Sequence, residues 1–216
     1  MRKKIISCLF IFSVILAFGD TNNINGVVDY RPTIIINLEK NISREKDRDK
    51  VAVLMKDYEK QFKNYLQQNS NNEALIFNLG DQYFKDGKYE RARDIFASNP
   101  NSSRNLFGAG TTSRFIGDYN LAIDYYTSAL NLQPLIVECY LGRGLSYRNI
   151  GEYNKAIEDL TRYKNMTGNE SAYLALGDIY MAMGNYSKAK GILEEGRSKY
   201  PNSQEIKDML VTIFSK

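Results

Sequence analysis

The sequence predicts an all-α solenoid: four helical hairpins stacked side by side, with one amphipathic helix before them and one after. Three observations predict it. Gly80, Gly110, Gly144 and Gly177 recur at nearly equal intervals. A Gly-x-Tyr signal follows each, at Gly87/Tyr89, Gly117/Tyr119, Gly151/Tyr153 and Gly184/Tyr186. One alanine then comes at a fixed offset: Ala92, Ala122, Ala156 and Ala189. A period of about 34 residues with this internal order marks a helix–turn–helix repeat.

The chain opens with a targeting pattern. Arg2, Lys3 and Lys4 form a positive start, and Ile5 to Phe18 is a mostly apolar run. Ala17 and Gly19 offer small residues at the positions a signal peptidase reads, so residues 1–19 are expected to be a signal peptide. The run is short for a membrane span, which needs about 20 residues. The alternative is an uncleaved anchor formed by residues 5–18. Either way the rest of the chain is expected outside the cytoplasm, in the periplasm or secreted. Removing the three basic residues takes the formal charge from +4 to +1. That balance gives no clustered basic face for nucleic acid.

Residues 20–42 read as an extended tether. Asn22, Asn23, Asn25 and Gly26 are loop formers, and Thr33 to Ile36 after Pro32 is a short β-prone run. Residues 43–69 are expected to form a helix, with Ser43 as its cap. Val51, Leu54, Met55, Tyr58, Phe62, Tyr65 and Leu66 return every three or four positions and make one apolar stripe. Its expected role is to cover the open end of the first repeat.

The four repeats are expected over 73–102, 103–136, 137–169 and 170–202, and a last amphipathic helix over 203–216. Pro134 and Pro201 end second helices, and Pro100 ends that of copy one early. Mid-helix glycine carries a propensity cost of about 1 kcal/mol. That cost is offset where a facing helix needs the space, with Ala92, Ala122, Ala156 and Ala189 at the matching contact. Phe96, Tyr126, Leu160 and Leu193 are expected to fill the seam one turn on.

At this level of detail residues 73–202 resemble the tetratricopeptide repeat family. The resemblance implies a right-handed solenoid with a C-terminal capping helix. Copy two departs with Ser113 where the others have Tyr83, Tyr147 and Tyr180, and copy three has Arg143 where Leu79 and Leu176 stand. In the family, first helices line a concave groove that holds peptide segments. The matching positions are Phe77, Asp81 and Phe84 in copy one, and Phe107, Thr111 and Arg114 in copy two. Copies three and four contribute Leu141, Leu145 and Arg148, then Leu174, Asp178 and Met181. Arg114 and Arg148, stacked on neighbouring repeats beside apolar residues, suit an extended peptide with an acidic group. The Lys and Asn cluster with which chaperone-binding members clamp a terminal carboxylate is absent.

Catalysis is not expected. The chain has no histidine, which removes imidazole bases and His-ligated metal. Cys8 and Cys139 are the two cysteines, and Cys8 falls in the targeting segment. Cys139 alone makes neither an internal disulfide nor a cysteine-rich zinc site. The acids are spaced along helix faces, and no glycine-rich loop joins a strand to a helix. No cofactor and no small-molecule substrate are predicted. The predicted partner is a protein or peptide in the cell envelope. The alternative is a self-assembling component or assembly factor of an envelope complex, such as one for outer-membrane, pilus or secretion biogenesis. Asn-x-Ser/Thr sites begin at Asn41, Asn101, Asn165, Asn169 and Asn185, as an Asn-rich composition produces.

Overall fold

The computed structural model describes residues 22–24 and 27–214. The expected signal peptide lies outside these residues. Strands β1 (Asn22–Ile24) and β2 (Val27–Asp29) pair antiparallel, with Asn22 opposite Asp29 and Ile24 opposite Val27. Helix α1 (Thr33–Arg44) and helix α2 (Arg48–Gln68) follow.

The expected tether is therefore replaced by a small folded module. Thr33 to Ile36, β-prone by composition, is helical. Pro32 stands at the helix start, and its carbonyl accepts from the amides of Ile35 and Ile36. Ile35, Leu38 and Ile42 then fall on one face and join the core around Tyr58, Phe62 and Tyr83. Burial of that stripe overrides the local preference of β-branched residues. Helix α2 starts at residue 48 rather than 43, because Asp47 supplies the cap, accepting from the amides of Asp49 and Lys50. Ser43 belongs to the last turn of α1, where its hydroxyl donates to the Lys40 carbonyl.

A polar network holds this module to the first repeat. Arg31 donates Nε and Nη2 to the Asp29 carboxylate and Nη1 to Glu39. Gln82 donates to Asp29 at 2.8 Å and accepts from the Tyr30 amide at 2.9 Å. Burial alone would raise the Asp29 pKa, but hydrogen bonds from Arg31 and Gln82 outweigh it and hold the carboxyl down at about 2. A depressed carboxyl contributes stability that is present above its unfolded value of 3.8 and lost as pH falls through 2. Docking of residues 27–44 is therefore expected to loosen between those values. Amide exchange at Tyr30, measured on Asp29→Asn beside the native chain, checks this. Equal acid sensitivity of the two would show that Asp29 does not hold the docking.

The repeats follow as α3 (Glu73–Lys85), α4 (Tyr89–Ala97), α5 (Ser103–Ile116), α6 (Tyr119–Leu132), α7 (Val137–Asn149), α8 (Tyr153–Thr167), α9 (Glu170–Ala182) and α10 (Tyr186–Lys199). Asn72, Ser102, Asp118 and Asn185 cap α3, α5, α6 and α10 by accepting from a backbone amide three residues on. Gly117 ends α5 with φ of 96°, a left-handed conformation that a side chain would strain. Helix α11 (Gln204–Phe214) buries Ile206, Leu210 and Ile213 against Leu193. Each first helix lies beside its own second helix and against the one before, so α3, α5, α7 and α9 form one row.

The mid-helix glycines have a different neighbour from the one expected. A Cβ on Gly80 would stand 2.6 Å from the Phe96 ring, and one on Gly110 would stand 2.9 Å from Tyr126. Gly144 and Gly177 face Leu160 and Leu193 in the same way. The space thus serves a large side chain first, and at Gly144 the facing backbone as well. The alanines are fully buried nearby, and Ala156 presents its carbonyl to Gly144. Two seam residues are rings, and each also enters the next repeat: Phe96 meets Gly108, and Tyr126 meets Gly142. Where the seam residue is the smaller Leu160, the matching position is Ala175. The chain removes a methyl group from the neighbour wherever the wedge is aromatic, so ring and notch set the register between repeats.

Candidate functional site

The row of first helices carries the positions singled out from the sequence, and the structure divides them. Phe77 is 4% exposed and its ring lies tilted against that of Phe96 at 5.5 Å, so it is core and not a groove residue. Its ring is covered by Phe96 and by the Arg104 guanidinium, 3.8 Å from the ring centroid. The remaining positions are half-buried, at the level where a side chain both packs and meets solvent.

Phe84 packs edge-on against Tyr89 and Phe115, each at 5.2 Å. Phe115 is well exposed, and sequence reasoning does not reach it because it lies off the repeated offsets from Gly110. Phe107 lies 6.1 Å from the Tyr126 ring. Leu141 and Leu145 continue the row on α7. Leu174 and Met181 rest on the cluster of Leu193, Ile206 and Leu210 at the far end.

The ionic positions separate further. Asp81 pairs with Lys85 at 2.6 Å, and Arg148 pairs with Asp178 of the next repeat at 2.7 Å. Arg148, expected to suit an acidic group of a ligand, thus already has the acid from α9 beside it. Arg114 has a buried Nε with no hydrogen-bond partner among the described residues. Beside it, the Tyr126 hydroxyl donates to Thr111 Oγ1 at 3.1 Å. Burial pushes the Tyr126 hydroxyl pKa up, while the nearby Arg114 and Thr111 pull the other way. Tyr126 thus fills the seam, as expected, and also brings its hydroxyl to the floor of the row. Its role there is hidden in the sequence because it lies on a second helix.

Arg143, the departure in copy three, is explained by its partners. It donates Nε and Nη2 to Asp159 at 2.7 and 2.8 Å and Nη1 to Thr127 at 3.0 Å, so it ties α7 to both α8 and α6. Cys139 is a buried free thiol whose pKa burial pushes up to about 12, which keeps it unreactive. Among the described residues, no three His, Cys, Asp or Glu side chains gather to hold a metal. A depression of about 510 Å³ by Glu170, Lys199, Tyr200 and Glu205 lies at the start of α9 and the end of the last hairpin, and none of the positions singled out lines it.

Tetratricopeptide repeat profiles match residues 103–134 and 151–212. No curated protein sequence matches the chain. Among solved structures, MamA is similar at 24% identity and a TM-score of 0.59, over 65% of this chain and 85% of its own. The APC/C hetero-tetramer Cut9–Hcn1 is similar at 20% identity and 0.59, over 65% of this chain and 30% of its own. The Arabidopsis OM64 tetratricopeptide domain is similar at 19% identity and 0.50, over 54% of this chain and 98% of its own. The repeat spacing, the glycine notches and these matches agree: the chain is a tetratricopeptide repeat protein, built on a fold of protein–protein interaction scaffolds.

Proposed function

We propose that the chain is a non-catalytic adaptor of the cell envelope that holds an extended segment of a partner protein across its first helices. The observation that supports this most is the continuous row of half-buried apolar side chains. Phe84 and Phe107 stand at one end, Leu141 and Leu145 in the middle, and Leu174 and Met181 at the other. Stacked repeats generate extended surfaces of this kind. The similar Cut9 structure is itself an assembly with a second protein.

A photo-crosslinking residue in place of Leu145 is expected to capture the partner, and one in place of exposed Lys60 on the outside of α2 is not. Equal capture at both, or none at 145, removes the groove reading. The envelope location rests on Arg2 to Gly19. The mature chain is expected to begin at Asp20 and to fractionate with the envelope. A cytosolic chain that keeps residues 1–19 would sink that part.

A second reading, self-assembly, is favoured by one observation. Val211 and Phe214 on α11 are 67% and 66% exposed, and Val211 stands about one repeat length after Gly177, in the register of the mid-helix glycines. Light scattering decides between them. A mass that grows with concentration, and stops growing in Val211→Glu, supports assembly; a constant monomer mass supports the adaptor.

A further inference from the structure

We infer that the partner segment carries an acidic side chain in its interior, and that one turn of α5 receives it: the Arg114 guanidinium and the Thr111 hydroxyl, above the Tyr126 hydroxyl. This deepens the groove reading and rests on it.

Three independent observations converge. The first is charge. Of the ionic positions along the row, Asp81, Arg148 and Asp178 each have an opposite charge within 2.7 Å. Arg114 forms no such pair among the described residues, and its Nε is buried without a hydrogen-bond acceptor. A buried donor left unsatisfied is costly, and a carboxylate is the acceptor that a guanidinium fork fits best.

The second is the Thr111 hydroxyl. It accepts from Tyr126. Thr112 and Ser146 donate their own protons to the carbonyl four residues back, on Gly108 and Gly142. Thr111 makes no such bond among the described residues, so its proton is left to donate. Thr111 and Arg114 are three residues apart and share one helix face. A carboxylate there would take two donors from a single turn.

The third is space. Gly142 on the neighbouring helix has no side chain, and a Cβ there would stand 2.6 Å from the Tyr126 hydroxyl oxygen. The missing side chain lets the Tyr126 ring fill the gap between α5 and α7 and carry its hydroxyl to the floor of the site. Apolar residues continue on both sides, Phe84 toward α3 and Leu145 along α7. A segment bound here runs past Arg114 in both directions, which fits an internal Asp or Glu rather than a chain terminus. Arg148 adds no second anion site while Asp178 covers it.

The test uses the full chain and a phage library of short random peptides fused at their C-terminal ends, so that no free peptide carboxylate is present. Selected peptides, resynthesised with amidated ends, are expected to share one Asp or Glu between apolar residues. Changing that acid to its amide should weaken binding roughly tenfold or more, as loss of a charge-assisted hydrogen bond does. Arg114→Gln should lose the same factor, with no further loss when both changes are combined. Arg114→Lys, which keeps the charge and removes Nε, should lose part of it, and its unchanged melting midpoint would show an intact fold. Peptides that lose binding with Leu145→Asp but ignore Arg114→Gln would overturn the inference and leave the groove reading standing. A requirement for a free peptide carboxyl end would overturn the internal-acid assignment. Failure to select any peptide sensitive to Leu145→Asp would remove the groove and the inference together.

Discussion

Gly142→Ala is expected to destabilise the stack, although alanine is the better helix former by about 1 kcal/mol. The added methyl would stand 2.3 Å from Cζ of Tyr126, a ring that is 1% exposed and wedged between two helices. Overpacking of this kind typically costs about 1–3 kcal/mol beyond what relaxation recovers. Gly110 lies against the same ring, where an added Cβ would stand 2.9 Å from it, so the ring is flanked by glycine on both helices. The chain carries its own control. Copy three pairs Leu160 with Ala175 of the next repeat, so Tyr126→Leu combined with Gly142→Ala recreates a combination already used one repeat on. The double variant is expected to be less destabilised than the sum of the two single changes. A denaturant-melt cycle over the four proteins measures the coupling. A Gly142→Ala chain as stable as the native one would show that the notch does not set the register.

Arg143→Met is expected to have an effect of the same size or larger. Asp159 is 5% exposed, and both its carboxylate oxygens accept hydrogen bonds from Arg143. Removing the arginine leaves a buried carboxylate without its counter-charge, which generally costs about 3–5 kcal/mol. The pair is not needed for the fold itself. The same two positions hold Leu79 and Ile95 in copy one, and Leu176 and Ile192 in copy four. Arg143→Leu with Asp159→Ile is therefore expected to melt at or above the native midpoint, as replacing a buried ion pair by packed apolar groups often does. If the double variant is as unstable as Arg143→Met, the bond from Arg143 to Thr127 across the repeats outweighs the apolar packing.

Most of the architecture can be read from local patterns. Caps such as Asn72 and Ser102, the turn at Gly117 and the recurring alanines act within a few residues, and four copies repeat the message. The N-terminal module cannot be read this way. Thr33 to Ile36 has the composition of a strand, and its helix is decided by contacts with Tyr58 and Tyr83, residues distant in sequence. The candidate site is legible in part. The repeated offsets find the right helix face at Phe84, Phe107, Leu141 and Leu145. They miss Phe115 and the reach of the Tyr126 hydroxyl, and they include Phe77, which Phe96 and Arg104 cover into core.

By itself, the sequence determined the number of hairpins, their order and the face that looks outward, because those follow from side-chain period and from glycine and alanine at fixed offsets. Only the tertiary structure decided which charges are spent on one another. Arg148 and Asp178 lie on successive repeats, far apart along the chain, and Arg148 looks equivalent to Arg114 in any linear pattern. Stacking nonetheless brings Arg148 and Asp178 to 2.7 Å and, among the described residues, leaves Arg114 beside the Tyr126 hydroxyl with no acid paired to it. Charge compensation depends on distance in space, and no spacing along a chain reports it until neighbouring helices are in place.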